Sequence, residues 1–214
     1  LKDEKELGVA LIDVGAGVTD ISVFKYGSLI YSSMIAVGGW HITNDLSIGL
    51  KISFEEAENI KKKYGTLEKL SPEKLEPIKI ASLAGKSKSA TDVNEISDII
   101  EARVSELLML VYERLEEAKV LEDIVTNVVI TGGGISFLKG NIELAQKIFN
   151  RNIRIGSPQN IGVATPIYSA GVGVVKYVYN NKRFMHNVQP TDKKEKKSSK
   201  LVDKLKEIFI DFWA

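Results

Sequence analysis

The chain of 214 residues contains no cysteine. That excludes a disulfide framework, a thiol nucleophile and a thiolate metal site. It also lacks a charge excess: 29 Lys and Arg stand against 28 Asp and Glu, a formal net charge of +1. Nucleic-acid binding draws on a concentrated basic face, so a nearly neutral body argues against DNA or RNA as partner. No apolar run approaches the roughly 20 residues that cross a bilayer, and no secretory signal opens the chain. Only two histidines are present, His41 and His186, and they stand alone in the sequence. Neither comes with the neighbours that would make it a base for phosphoryl transfer.

What is present is ordinary globular material, with 44% hydrophobic and 27% charged residues. The length suffices for one or two domains with a sizeable core. The first residue is Leu1, and a strand of buried character follows within a few residues. The chain is therefore expected to be the C-terminal part of something longer.

Leu7–Asp13 and Thr19–Tyr26 are short apolar runs joined by Val14-Gly-Ala-Gly-Val18, a β-hairpin pattern. Leu29–Val37 adds a third strand to make a meander, which Gly38-Gly39 ends. Thr43-Asn44-Asp45 offers cap chemistry for a helix to about Leu50. Ser53 with Glu56 is a capping-box pattern opening a helix over Phe54–Tyr64, with Gly65 as its left-handed stop. Residues 66–92 are polar and irregular, with strand character at Ile78–Leu83. From Asp92 to about Ala118, Ile96, Ile99, Ile100, Val104, Leu107, Leu108, Val111 and Leu115 keep the spacing of one buried helix face. A strand at Asn127–Thr131, a helix at Asn141–Phe149 and a strand at Ile153–Ile155 follow. Pro166–Tyr179 reads as a Gly/Ala-rich helix packed closely on its neighbours.

Two glycine loops carry the chemistry. Asp13-Val-Gly15-Ala-Gly17-Val-Thr19-Asp20 has Gly-x-Gly but no third glycine, and a strand follows it instead of a helix. The dinucleotide fingerprint therefore fails. Gly85-Lys86-Ser87 lacks the earlier glycine of a P-loop. A hairpin tip with two glycines can instead aim bare amides at phosphate oxygens, with Thr19 adding a hydroxyl. Asp13 and Asp20 bracket it as hard carboxylates suited to Mg²⁺ held through water. The alternative is a tight hairpin that needs glycine for positive φ. The second loop, Thr131-Gly132-Gly133-Gly134, leaves a flat surface for a base or ribose, or else serves close packing of strand on helix. Glu58 and Lys61 share one helix face. They could hold ribose hydroxyls while Lys62 stacks on a base, or they form a solvated charged face.

The last 16 residues have a helical period. Leu201, Leu205, Ile208 and Phe212 form a stripe that Val202, Phe209 and Trp213 widen. From Lys193 onward seven Lys against four acidic residues leave a local charge of +3. Such a helix suits a membrane interface with anionic lipid; the alternatives are a helix docked on the body or a coiled-coil arm. Residues 186–198, with Pro190 and a run of charges, read as a linker detaching the helix at 199–214.

The order of these pieces resembles the second half of the actin/Hsp70/sugar-kinase ATPase fold and, within it, the FtsA family of bacterial actin-like cell-division proteins. The resemblance rests on Leu11–Phe24, Val37-Gly-Gly-Trp-His-Ile-Thr-Asn-Asp45, Phe54–Gly65 and Val129–Gly134. It implies an α/β fold: an actin-like (ribonuclease H-like) lobe over 1–41 and 99–185, with a small α/β insertion at 42–98. By resemblance Gly15, Gly17 and Thr19 match the second phosphate loop and Asp13 the Mg²⁺-associated aspartate. Glu58, Lys61 and Lys62 fall where relatives hold ribose and adenine of ATP. Gly132, Gly133, Gly134 and Phe137 match the adenosine motif. The first phosphate loop is expected before Leu1, so this chain carries about half of a nucleotide site and by itself is expected to bind ATP weakly or not at all and to turn over none. Arg103 matches an arginine on the helix that docks the C-terminal peptide of FtsZ, or it simply pairs with Glu106. The implied role is an adaptor that polymerises and tethers the FtsZ ring to the cytoplasmic face of the cell membrane at the division site. Alternatives are a PilM-like pilus-assembly scaffold or a lobe of a sugar- or acetate-kinase-like enzyme.

Overall fold

A computed structural model of the chain describes residues 2–81 and 88–181. The linker, the tail helix, His186 and Gly85-Lys86-Ser87 lie outside those residues. The chain divides into two compact units, Leu1–Gly173 and Val174–Ala214.

The first unit is built on a five-stranded mixed sheet of order β3-β2-β1-β6-β7. Its strands are β1 (Val9–Val14), β2 (Thr19–Lys25), β3 (Ser28–Ile35), β6 (Val128–Thr131) and β7 (Ile153–Ile155). The first three form the antiparallel meander, and β1–β6 and β6–β7 pair in parallel. β6 is buried along its whole length, as a central parallel strand is, whereas β3 at the sheet edge is largely exposed. Between β3 and β6 run α2 (Gly39–Leu50), α3 (Phe54–Tyr64), a two-stranded hairpin of β4 (Ile78–Ala81) and β5 (Lys88–Thr91), and α4 (Val93–Glu117). α5 (Asn141–Phe149) links β6 to β7.

α4 organises the core. Asp92 caps it, its Oδ1 accepting from the Asn94 and Glu95 amides at 2.8 and 3.0 Å. Seven of the eight stripe residues read from the sequence are buried, Ser97 is buried beside them, and Ile99 is half-buried at the edge of the stripe. That stripe packs between α2 on one side and α5 on the other.

Several boundaries differ from the sequence reading. Lys2–Leu7 is a helix, α1, and β1 begins only at Val9. α1 is held by Glu4, whose carboxylate takes both Arg154 nitrogens at 2.9 and 2.7 Å and the Asn127 amide at 2.9 Å. α2 starts at Gly39, four residues before the expected cap, because its first amides are satisfied from the β1–β2 hairpin. α3 is capped as expected, Ser53 Oγ accepting from Glu56 at 3.2 Å, but Gly65 has φ −62° and is no left-handed stop. A glycine is needed there for space: a Cβ would come within 2.2 Å of the Lys61 carbonyl. Pro166–Tyr168 is a 3₁₀ turn, and the helix α6 runs over Ser169–Asn180. It is not the closely packed helix expected: none of its residues is buried, and Gly171 and Gly173 meet nothing within 4 Å.

Candidate functional site

β1 and β6 lie side by side and parallel, and the chain leaves them in opposite directions, from β1 toward β2 and from β6 toward β7. A crevice outside the carboxyl ends of such strands is where α/β sheets bind ligands. A cavity of about 460 Å³ opens there. Its walls come from the hairpin (Asp13, Gly15, Ala16, Asp20), the start of α2 (Gly39, Trp40), α3 (Glu58, Lys61), the run Gly132–Gly134, and Ile167 with Ala170.

The hairpin tip is held by its carbonyls. Gly15 O accepts from the Gly39 amide at 2.9 Å, and Ala16 O from the Trp40 amide at 2.7 Å. These bonds satisfy the first donors of α2, which a helix cannot satisfy itself. Gly38 must be glycine for this docking, since a Cβ would sit 2.7 Å from both carbonyl oxygens. The Gly15 amide is spent on Val18 O at 2.9 Å, whereas the amides of Ala16 and Gly17 find no acceptor among the described residues. Neither Gly15 nor Gly17 has a positive φ, so turn strain does not account for them. Gly17 stands at the tip beside the cavity lining. Thr19 is corrected from a ligand group to a structural one. It is fully buried, and its hydroxyl donates to the Val37 carbonyl at 2.8 Å, tying the hairpin root to the end of the meander.

The second glycine run is shaped by packing as well as by the cavity. Gly132 has φ +84°, and a Cβ there would lie 2.3 Å from Asp13 Oδ1 and 2.4 Å from the Val14 carbonyl. Gly134 is equally confined, and its amide donates to Val14 O at 2.8 Å. Gly133 is the exposed, open one of the three. Phe137 is exposed and outside the lining, as is Lys62, which reaches Glu58 Oε1 at 3.3 Å.

Lys61 and Glu58 do more than decorate a face. The Lys61 ammonium lies 2.9 Å from Gly39 O, 2.6 Å from Thr43 Oγ1 and 2.7 Å from Glu58 Oε2. The Thr43 hydroxyl is 2.5 Å from Glu58 Oε2 and 3.1 Å from Gly39 O, and its one proton serves one of them at a time. This cluster locks α3 to the start of α2. Burial pushes the Glu58 carboxyl up, but Lys61, Thr43 and Lys62 outweigh it and hold it below its usual value. Asp13 behaves oppositely: burial, and then the charge of Asp20 across the strand pair, raise its carboxyl.

Arg103 sits elsewhere, between α4 and α2. Its Nε and Nη2 take both Asp45 oxygens at 2.5 and 3.0 Å, and its Nη1 takes Glu106 at 2.5 Å. The expectation of a guanidinium free for an acidic peptide is thus corrected to a bidentate clamp within the protein, plus the local pair already foreseen.

Sequence reasoning missed Trp40, Gly39, Ile167 and Ala170. The glycine pair ending a strand beside an aromatic was the available signal for the first two. Nothing local marked Ile167 or Ala170.

The family model described as cell division protein FtsA matches residues 10–173. The chain belongs to the FtsA family. It is 41% identical over 182 residues to cell division protein FtsA of Bacillus subtilis (strain 168), covering 85% of this chain and 41% of that one. It is 35% identical over 182 residues to the FtsA protein of Pseudomonas aeruginosa, covering 82% and 43%. The chain therefore spans about two fifths of the length of these curated relatives. Among solved structures, MreB5 of Spiroplasma citri bound to ADP superimposes with a TM-score of 0.67 at 20% identity, covering 86% of this chain and 57% of that one. The PilM–PilN type IV pilus biogenesis complex gives 0.61 at 17%, covering 82% and 47%. Both share the actin-like fold with this FtsA-family chain, and family membership sets it apart from the pilus-scaffold alternative.

Proposed function

We propose that this FtsA-family chain supplies one side of a site for an adenine nucleotide, ATP or ADP, in the cavity at the ends of β1 and β6. The reading is carried by one observation: a hairpin tip with free amides, two facing carboxylates, an open glycine surface and the Glu58–Lys61 edge converge on a single space. The Ala16 and Gly17 amides suit phosphate oxygens, and Gly133 leaves room for a ribose or base. Mg²⁺ fits the donor set: Asp13 and Asp20 are hard oxygen ligands facing each other, and bound Mg²⁺ would neutralise phosphate charge between them. No group of three or more potential metal ligands occurs among the described residues, so water and phosphate would complete the sphere. Glu58 and Lys61 are already joined to each other, so they shape the ribose edge more than they reach for it. Calorimetric titration with Mg·ADP tests the reading. Binding that depends on Mg²⁺ and falls with Asp13→Asn supports it, and absence of nucleotide binding to the intact protein refutes it.

The same reading makes the chain part of a division adaptor: residues 42–98 a small inserted subdomain, the body a self-polymer joined to the C-terminal peptide of FtsZ, and the tail an anchor to anionic lipid at the division site. Among the described residues no helix is long and apolar enough to cross a membrane. Attachment is assigned to Leu201, Val202, Leu205, Ile208, Phe209, Phe212 and Trp213, which form the apolar stripe of the tail in sequence. Flotation with anionic liposomes, comparing the chain with one cut after Lys197, decides it: only the uncut chain should float.

A further inference from the structure

We infer that Trp40 is the wall of the cavity on its phosphate side, so that this residue senses the phosphates of the bound nucleotide. The inference rests on the nucleotide reading above. Trp40 is the second residue of α2 and is 58% exposed, with its backbone tied to the hairpin. Its amide donates to Ala16 O at 2.7 Å, and its ring edge comes within 3.9 Å of where a Gly17 Cβ would stand. The indole thus lies beside Gly17 while the Trp40 backbone is tied to Ala16, the two residues whose amides are unspent. No hydrogen bond to its Nε1–H occurs among the described residues, so the ring brings a free donor as well as an apolar face.

An exposed indole costs a folded protein hydration of a large apolar surface, and a cavity lined by one is a place where a ligand recovers that cost. Small side chains fill the positions around it: Gly38 and Gly39 before it, and Gly15, Ala16 and Gly17 beneath it. No other aromatic lines the cavity. Against a phosphate at the hairpin tip, the ring would exclude water from the Ala16 and Gly17 amides and strengthen those bonds. The base-facing surface, by contrast, is the bare backbone at Gly133.

The chain has two tryptophans, Trp40 and Trp213. In this chain carrying Trp213→Phe the emission comes from Trp40 alone. Titrated with Mg·ADP, that emission should shift or quench, while adenosine leaves it unchanged. Trp40→Phe should keep ADP affinity within about twofold, and Trp40→Ala should lose about tenfold, the scale of one well-placed aromatic contact. Adenosine affinity should stay level in both variants, and melting curves check that both remain folded. If calorimetry registers ADP binding while emission stays constant and Trp40→Ala binds as its parent does, the inference falls and the nucleotide reading stands. If Trp40→Ala weakens adenosine as much as ADP, the ring is a base contact, and the phosphate-side role is overturned. If the intact protein binds no nucleotide by calorimetry, both fall together.

Discussion

Replacing Glu4 by glutamine tests the link that fastens α1 to the sheet. Glu4 is buried, and Arg154 grips it bidentately, with Asn127 adding a third bond. The Arg154 bonds first, against the opposing effect of burial, and then bonds from the N-terminal amine and Asn127 bring its carboxyl from 4.5 down to about 2. An acid with a lowered folded pKa adds stability above its unfolded pKa and loses it as pH falls through the folded value. The shift corresponds to about 3 kcal/mol if fully expressed. Arg154 is 38% exposed, and solvent screens it, so about 2 kcal/mol is the expectation at pH 7. Glu4→Gln removes the charge and keeps the size. Urea unfolding followed by circular dichroism at pH 7, 5 and 3 should give a gap of about 2 kcal/mol at pH 7 and 5, shrinking to roughly half or less at pH 3. A gap that is absent at pH 7, or that persists undiminished at pH 3, would refute the argument that ionisation of Glu4 holds the helix.

Four further outcomes follow from the geometry. Gly132→Ala should lower stability by about 2–4 kcal/mol, from a left-handed backbone plus overpacking on Asp13 and Val14. Gly133→Ala, whose Cβ would meet only Ile167 Cγ1 at 3.4 Å, should melt within a degree or two of the parent. Arg103→Ala should destabilise by about 1–3 kcal/mol by stranding Asp45, and the double variant with Asp45→Ala should be no worse than either alone. Unchanged stability with lost FtsZ-peptide binding would instead make Arg103 a direct partner contact. Asp13→Asn should raise the melting temperature at neutral pH, because burial and Asp20 both oppose the ionised carboxyl, while it removes Mg²⁺-dependent nucleotide binding. A lower melting temperature would mean that the carboxylate is stabilised by contacts other than those described.

Elements whose signals are local were legible in the sequence. α3, α5 and β7 have the residue limits that caps and periodicity implied, and α4 buries the stripe that its spacing announced. The β1–β2–β3 meander was legible because alternation and glycine turns are short-range features. The start of α2 was not, since its first amides are capped by carbonyls some 24 residues away in sequence, at Gly15 and Ala16. α1 was not either, because six residues form no stable helix alone and Glu4 needs Arg154 to hold it.

The sequence by itself determined the composition of the site: which residues carry amides without side chains, which carry carboxylates, and in what order the family's motifs run. It also determined the apolar stripe of the tail, since periodicity is written residue by residue. Only the tertiary structure decided which groups are free to act. Thr19 and Arg103 have the right chemistry for a ligand, but their hydrogen-bonding groups are consumed by Val37 and by Asp45 with Glu106. Trp40 is marked in the sequence only by the glycine pair before it, and it lines the cavity because α2 docks on the hairpin. The physical reason is that hydrogen-bonding capacity is a property of a residue, whereas its availability depends on every neighbour that packing brings within about 3 Å.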